Sequence, residues 1–285
     1  MTGLVEHRLR IGDRDVILLQ GPAGWGESSP MPGYPCDPGV SRAAALEAAT
    51  RDFPERVREH VPVNALIASA DFDPDALEGF PAVKVKMRVP ADRDLVARVR
   101  DAVGPSVGIR VDANAAWDVD TAIEVGRSLV ALDVELFEQP VANLDDLALV
   151  RRACSIPVAA DESIRSVADA QRARRLGAAD VVVLKVQPLG GVRAALEVAD
   201  AAGVPALPTS MMETSVGVLA GLALACALPE LPFGAGLGTV SASGPDVTEA
   251  PLVAVDGRLA WRAVAPDADL LERYAVAPSS QVVSA

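Results

Sequence analysis

The chain has 285 residues, half of them hydrophobic and 23% charged, with a formal net charge of -13. That length can bury a large core, and the composition excludes a disordered or fibrous chain. The negative charge argues against nucleic acid and anionic membranes as partners, though not against an anionic small molecule at a locally cationic site.

In chain order, Leu9–Ile11 and Val16–Leu19 flank Gly12-Asp13-Arg14-Asp15, which predicts a hairpin. A Gly/Pro-rich loop, Gly21 to Gly39, follows; its Gly24-Trp25-Gly26-Glu27 segment is either a lid or only a loop. An Ala-rich helix is expected from Ser41 towards His60. From residue 63 the pattern becomes regular, with apolar runs at 63–70, 82–87, 108–112, 135–138, 157–160, 181–186, 205–209 and 232–237. Stretches with helical spacing separate most of them, such as Asp118–Leu132, where Ala122, Val125, Leu129 and Leu132 share one face. Asp118 and Ser166 can cap helix starts, and Gly177 and Gly203 stand where helices stop. Helical signal is weak over 71–80, while Val216–Leu228 reads as a buried helix too short to span a bilayer. Asp256-Gly257 between apolar runs predicts a second hairpin that joins the N-terminal segment, and the last ten residues resemble a frayed tail.

The fold expected is α/β: a modified (β/α)8 barrel of TIM type with a small α+β capping domain. Residues 1–62 form the first part of the cap, 63–244 the barrel, and 245–285 a segment returning to the cap. Cys36, Cys154 and Cys226 follow no metal-binding spacing, and MTGLVEHRLR has no signal-peptide core. A cytoplasmic protein with reduced thiols is expected; the oligomeric state is open, with a monomer favoured over an oligomer because no long exposed apolar stripe stands out.

Five ionisable residues close successive apolar runs: Lys86, Asp112, Glu138, Asp161 and Lys185, spaced by 26, 26, 23 and 24 residues. That interval is about one strand, one helix and two loops, so all five fall on one rim of the barrel, the rim that carries chemistry in such folds. Any one carboxylate could be a helix cap. Three on neighbouring strands would repel one another and call for a hard cation such as Mg²⁺, with Mn²⁺ tolerated; zinc is disfavoured because neither Cys nor His is near. Lys84 and Lys86 are two apart on one strand and point to the barrel interior, where a second cation lowers the pKa of a lysine base. Lys185 falls on the opposite side. Both histidines, His7 and His60, lie outside the barrel, which leaves a Ser–His triad without its key member. Gly234, Gly236 and Gly238 either admit a substrate or make a tight turn.

The segments VKVKM, RVDAN, FEQP, ADES and LKV resemble those of the enolase superfamily, in its muconate-lactonising branch with two lysines. The resemblance spans almost the whole chain, including the GWGE loop. It implies Asp112, Glu138 and Asp161 as Mg²⁺ ligands, Lys86 as acid and base on one face, and Lys185 as cation or second base on the other. Arg110 would support the ligands from below or serve structure alone. Within the branch the chain is most similar to the o-succinylbenzoate synthase family, in a compact form. This implies a lyase in menaquinone biosynthesis that dehydrates a cyclohexadiene carboxylate bearing a succinyl arm, with Ser210 and Gly236 near that substrate. Dipeptide epimerases carry Asp-x-Asp where this chain reads Ala235-Gly236-Leu237-Gly238-Thr239. An N-succinylamino acid racemase is the alternative enzyme, and a catalytically silent binding barrel the remote one.

Overall fold

The computed structural model describes residues 3–283. The expected first hairpin forms as β1 (Leu4–Ile11) and β2 (Arg14–Gly21), and β3 (Gly24–Ser28) adds antiparallel to β2. Helix α1 (Pro38–Thr50) starts on Asp37, whose carboxylate accepts from the backbone amides of Gly39 and Val40. It lays Ala45 and Ala49 on Leu4 and Leu19 of the sheet. The approach is close: a Cβ on Gly26 would stand 1.9 Å from the Ala45 carbonyl oxygen. The helix ends ten residues short of His60, because Pro54 cannot donate to it and disfavours helical backbone at Phe53. Strand β4 (His60–Pro62) follows.

The barrel strands are β5 (Asn64–Ile67), β6 (Ala82–Lys86), β7 (Gly108–Asp112), β8 (Val134–Glu138), β9 (Val158–Ala160), β10 (Val181–Leu184) and β11 (Ala206–Pro208). They hydrogen-bond in chain order into one seven-stranded sheet, parallel throughout. Helices α2 (Arg93–Val103), α3 (Val119–Leu129), α4 (Leu144–Ala153), α5 (Val167–Leu176), the short α6 (Val186–Leu189), α7 (Val192–Ala202) and α8 (Ser215–Ala227) follow β6 to β11. Asp118 and Ser166 cap α3 and α5, and Gly177 and Gly203 end α5 and α7 in the left-handed region, as their positions predict. The weak 71–80 crossover holds one 3-10 turn, Pro74–Leu77.

The expected eighth strand, 232–237, is reduced to two bridges, Val63 with Ala235 and Thr209 with Gly236. Pro232, Gly234 and Gly236 cannot sustain a strand with packing side chains, yet four hydrogen bonds close the seam. Ala235 N donates to Pro62 O (2.7 Å), Asn64 N to Ala235 O (3.0 Å), Gly236 N to Pro208 O (2.9 Å) and Ser210 N to Gly236 O (3.0 Å).

Alternation sorts each strand into two faces. Val83, Val85, Ile109, Val111 and Phe137 pack outward under the helices. Leu136, Ala159, Val181, Val183 and Leu207 form a separate apolar cluster within the barrel, with Phe233 against it. Helix α8 is buried on all sides, because Val218, Leu222 and Ala225 also meet Leu9, Val16 and Leu18 of the N-terminal sheet. That double contact explains a helix without a polar face.

Two expectations fail near the C-terminus. The Asp256-Gly257 hairpin is only a turn with one bridge, Val255 to Arg258; β12 (Arg258–Ala260) pairs instead with β4 in a two-stranded sheet. Asp256 and Gly257 both take positive φ, but the flanking LVAV segment finds no ladder partner among the described residues. The expected tail is a strand: after α9 (Ala268–Tyr274), β13 (Ala275–Val283) runs antiparallel to β1, in register from Leu4 to His7 and again at Leu9, with an irregularity between. Residues 284 and 285 lie outside the described residues.

Candidate active site

Lys86, Asp112 and Glu138 are direct register partners at the ends of β6, β7 and β8, so the parallel ladder sets them side by side at one level. Asp161 follows β9 and Lys185 follows β10. Lys84 lies one side-chain repeat deeper and donates to Asp112 Oδ2 and Glu138 Oε1, both at 2.7 Å. Lys86 donates to Asp112 Oδ2 (2.6 Å) and Asn114 Oδ1 (2.8 Å), and Lys185 to Asp161 Oδ2. Lys84, Lys86 and Lys185 all line one cavity of about 990 Å³, together with Tyr34, Asn114 and Asp161.

Electrostatics bind this cluster. Burial pulls the Lys84 ammonium down, but the Asp112 and Glu138 carboxylates outweigh it and hold it above its usual range. Burial opposes ionisation of Asp112 and Asp161, yet the lysines on each keep both below the usual carboxylate range. Glu138 goes the other way: burial and the Asp112 charge push it up to about 7.

Among the described residues, no three His, Cys, Asp or Glu side chains stand together as a ready ligand set. Asp112 and Glu138 share Lys84, while Asp161 turns to Lys185 and to Tyr34, whose O–H donates to Asp161 Oδ1 at 2.7 Å. Buried carboxylates take the nearest ammonium, since an unpaired buried charge is far costlier. The donor set still suits a hard divalent cation. Its donors are all oxygens from three neighbouring strands, and Glu138 Oε2 is buried with no hydrogen-bond partner.

The remaining expected residues divide. Arg110 is 1% exposed and spends its donors on Glu135 Oε2 (2.9 Å), Asn64 Oδ1 (3.2 Å) and the Gly234 carbonyl (2.5 Å), tying β7 to β8, β5 and the closing seam. Ser210 and Gly236 line the cavity; the Ser210 hydroxyl is 2.7 Å from that of Thr239. A Cβ on Gly236 would meet Thr209 Cγ2 at 2.8 Å, so this glycine lets the last segment reach the rim.

Several site residues escape a reading of sequence alone. Tyr34 comes from the Gly/Pro-rich loop and lies between two cations, with Lys185 Nζ 4.5 Å and Arg165 Cζ 4.6 Å from its ring centre. Gln139, in FEQP, is fully buried, and its Oε1 accepts from the Asp161 amide at 2.7 Å, fixing the loop that carries that acid. Asn114 and Glu162 sit inside the quoted motifs RVDAN and ADES, where their neighbours drew the attention. Non-glycine residues with positive φ gather on this rim: Asn114 (48°), Ala115 (59°), Gln139 (36°) and Met212 (63°). Such backbone costs energy and marks sites that the surrounding structure over-determines. Behind the rim, Glu27 of β3 accepts from Thr214 and Gly217 of the barrel, and Gln187 accepts from the Ser29 amide, so a buried polar network seats the Tyr34 loop.

Comparison with known proteins gives the family and the fold. Residues 72–267 match the Enolase C-terminal domain-like family and residues 5–49 the Enolase N-terminal domain-like family. An o-succinylbenzoate synthase of Thermobifida fusca (strain YX) is 46% identical over 277 residues, covering 94% of this chain and 87% of that protein. One from Mycolicibacterium smegmatis is 44% identical, covering 89% of this chain and 82% of that protein. In fold, the muconate lactonizing enzyme from Pseudomonas putida superposes with a TM-score of 0.83 at 22% identity, over 96% of this chain and 98% of that one. The chain belongs to the enolase superfamily.

Proposed function

We propose that the chain is an o-succinylbenzoate synthase, a lyase that removes water from 2-succinyl-6-hydroxy-2,4-cyclohexadiene-1-carboxylate to give 2-succinylbenzoate for menaquinone biosynthesis. The observation that carries this reading is the pair Lys86 and Lys185, delivered by strands β6 and β10 into one cavity. Relatives at 40–46% identity that bear this name narrow the reaction. The cavity is large enough for a ring with a succinyl arm, and Ser210, which lines it, is the residue this reading assigns to that arm.

Asp112, Glu138 and Asp161 hold a divalent cation in this reading, with Mg²⁺ the ion that suits an all-oxygen set. When bound, it supplies positive charge beside the substrate carboxylate and so acidifies the neighbouring C–H. Lys86, as the neutral amine, takes the C1 proton, and the electron pair spreads into the carboxylate as an enediolate. Lys185 keeps its ammonium on the other side of the cavity and steadies that charge, with the Tyr34 ring against it. The pair then forms the C1–C6 double bond as the C6–O bond breaks. Lys86 returns its proton to the departing hydroxide, which leaves as water from the same face, and the ring becomes aromatic. The free thiols Cys36, Cys154 and Cys226 suit the reducing cytoplasm, and no helix among the described residues is long and apolar enough to cross a membrane.

The test is direct. The purified protein is assayed with the cyclohexadiene substrate, and in parallel with N-succinyl amino acids. Dehydration dominates kcat/KM, EDTA abolishes it and Mg²⁺ restores it. Lys86→Ala loses turnover while still binding metal by calorimetry. Racemisation that outpaces dehydration would overturn the assignment.

A further inference from the structure

Lys86 carries three N–H positions, and the structure accounts for two. One goes to Asp112 Oδ2 at 2.6 Å and one to Asn114 Oδ1 at 2.8 Å. The third position is left for the cavity that Lys86 lines. The side-chain amide of Asn114 is itself held from behind, since its Nδ2 donates to Glu162 Oε1 at 2.9 Å. This chain has only one sense. An ammonium donates and cannot accept, so the amide must turn its oxygen to Lys86, which leaves its nitrogen to donate to Glu162.

The backbone reinforces the arrangement. Asn114 has φ of 48°, a left-handed conformation that Asn tolerates better than most residues. Its amide N–H donates to Asp112 Oδ1 at 2.9 Å, and the Ala115 amide to the Gln139 carbonyl at 2.7 Å. The main chain is therefore fixed, and the side-chain amide is the part left to be oriented. With nothing at Glu162, the amide could rotate, present its N–H₂ to Lys86 and repel the ammonium.

We propose that Glu162 is a positioning residue for the dehydration: through Asn114 it fixes the rotation of the Lys86 amino group so that its reactive position faces the substrate. The proposal rests on the assignment of Lys86 as the acid–base group. The mechanism above uses neither Glu162 nor Asn114.

Glu162→Leu removes the acceptor, Glu162→Gln keeps an oxygen that can accept from Asn114, and Asn114→Ala removes the relay. In the dehydration assay, Glu162→Leu lowers kcat about 10- to 100-fold with KM changed less than about twofold, the signature of misalignment without loss of binding. Glu162→Gln stays within about threefold of the parent, and Glu162→Leu added to Asn114→Ala costs nothing further, because the two act in series. Mn²⁺ affinity by calorimetry is the same in every variant. Should Glu162→Leu fail to fold, Glu162→Ala serves in the same cycle.

The proposal is overturned if Glu162→Gln is as damaged as Glu162→Leu, or if the double variant loses the product of both single effects. It is equally overturned if metal affinity falls in step with kcat, which would make Glu162 an accessory of Asp161. A parent protein without dehydration activity would refute the assignment of the reaction, a separate failure.

Discussion

Glu213 offers a sharp test of how the two parts of the molecule are joined. It lies in the turn between β11 and α8, 3% exposed, where its Oε2 accepts from the Met211 amide at 2.5 Å and its Oε1 from Gln187 Nε2 at 3.4 Å. Burial, and then the Glu27 charge beside it, push its carboxyl up to about 7 from an ordinary 4.5. The folded protein thus holds this proton more tightly than the unfolded chain does. The associated stability is fully present below about 4.5 and is lost as the pH rises through about 7. At 1.36 kcal/mol for each tenfold change in proton affinity, the loss amounts to about 3 kcal/mol above neutrality. Glu213→Gln keeps the shape and an acceptor oxygen but cannot ionise. Urea unfolding of both proteins at about pH 4 and about pH 8 reads the effect, since groups they share cancel in the difference. The two match at the lower pH, and the variant is more stable by up to about 3 kcal/mol at the higher. A difference that does not change with pH would refute the reasoning.

Other outcomes follow from contacts already given. Tyr34→Phe keeps the ring on Lys185 and loses the donor to Asp161, so Mn²⁺ affinity by calorimetry falls about tenfold; Tyr34→Leu removes the ring as well and lowers kcat further. Gly217→Ala would set a Cβ 2.5 Å from Glu213 Cβ, and thermal melting should register a loss of about 1–3 kcal/mol. Arg110→Ala strips partners from Asn64 Oδ1 and the Gly234 carbonyl at the closing seam, with a cost on the order of 3 kcal/mol in urea unfolding. A cost near zero would show that the seam holds without it.

The five rim residues were legible because each ends an apolar run, and a parallel barrel converts their even spacing into one level of one rim. The interior direction of Lys84 and Lys86 follows from the two-residue repeat alone. Tyr34 was not legible, since nothing local in a Gly/Pro-rich loop says which distant cation a lone ring will cover. The Glu27–Thr214 and Glu213–Gln187 contacts likewise join segments far apart in the chain, and each residue alone reads as an ordinary polar position. The last barrel segment was overread: Phe233, Ala235 and Leu237 alternate like a strand, but the intervening glycines leave only the backbone to pair. The 256–257 turn was read correctly, and its partner wrongly. A turn signal fixes where the chain reverses, not which strand lies alongside.

The pairing of β13 with β1 has a consequence for biosynthesis. Strands β1 and β2 are synthesised long before β13, the antiparallel neighbour of β1. The barrel staves, each beside its sequence neighbour, can assemble in the meantime. Until then the outer edge of β1 presents unpaired amides and carbonyls that can pair with other chains, an aggregation hazard that the arrival of β13 removes.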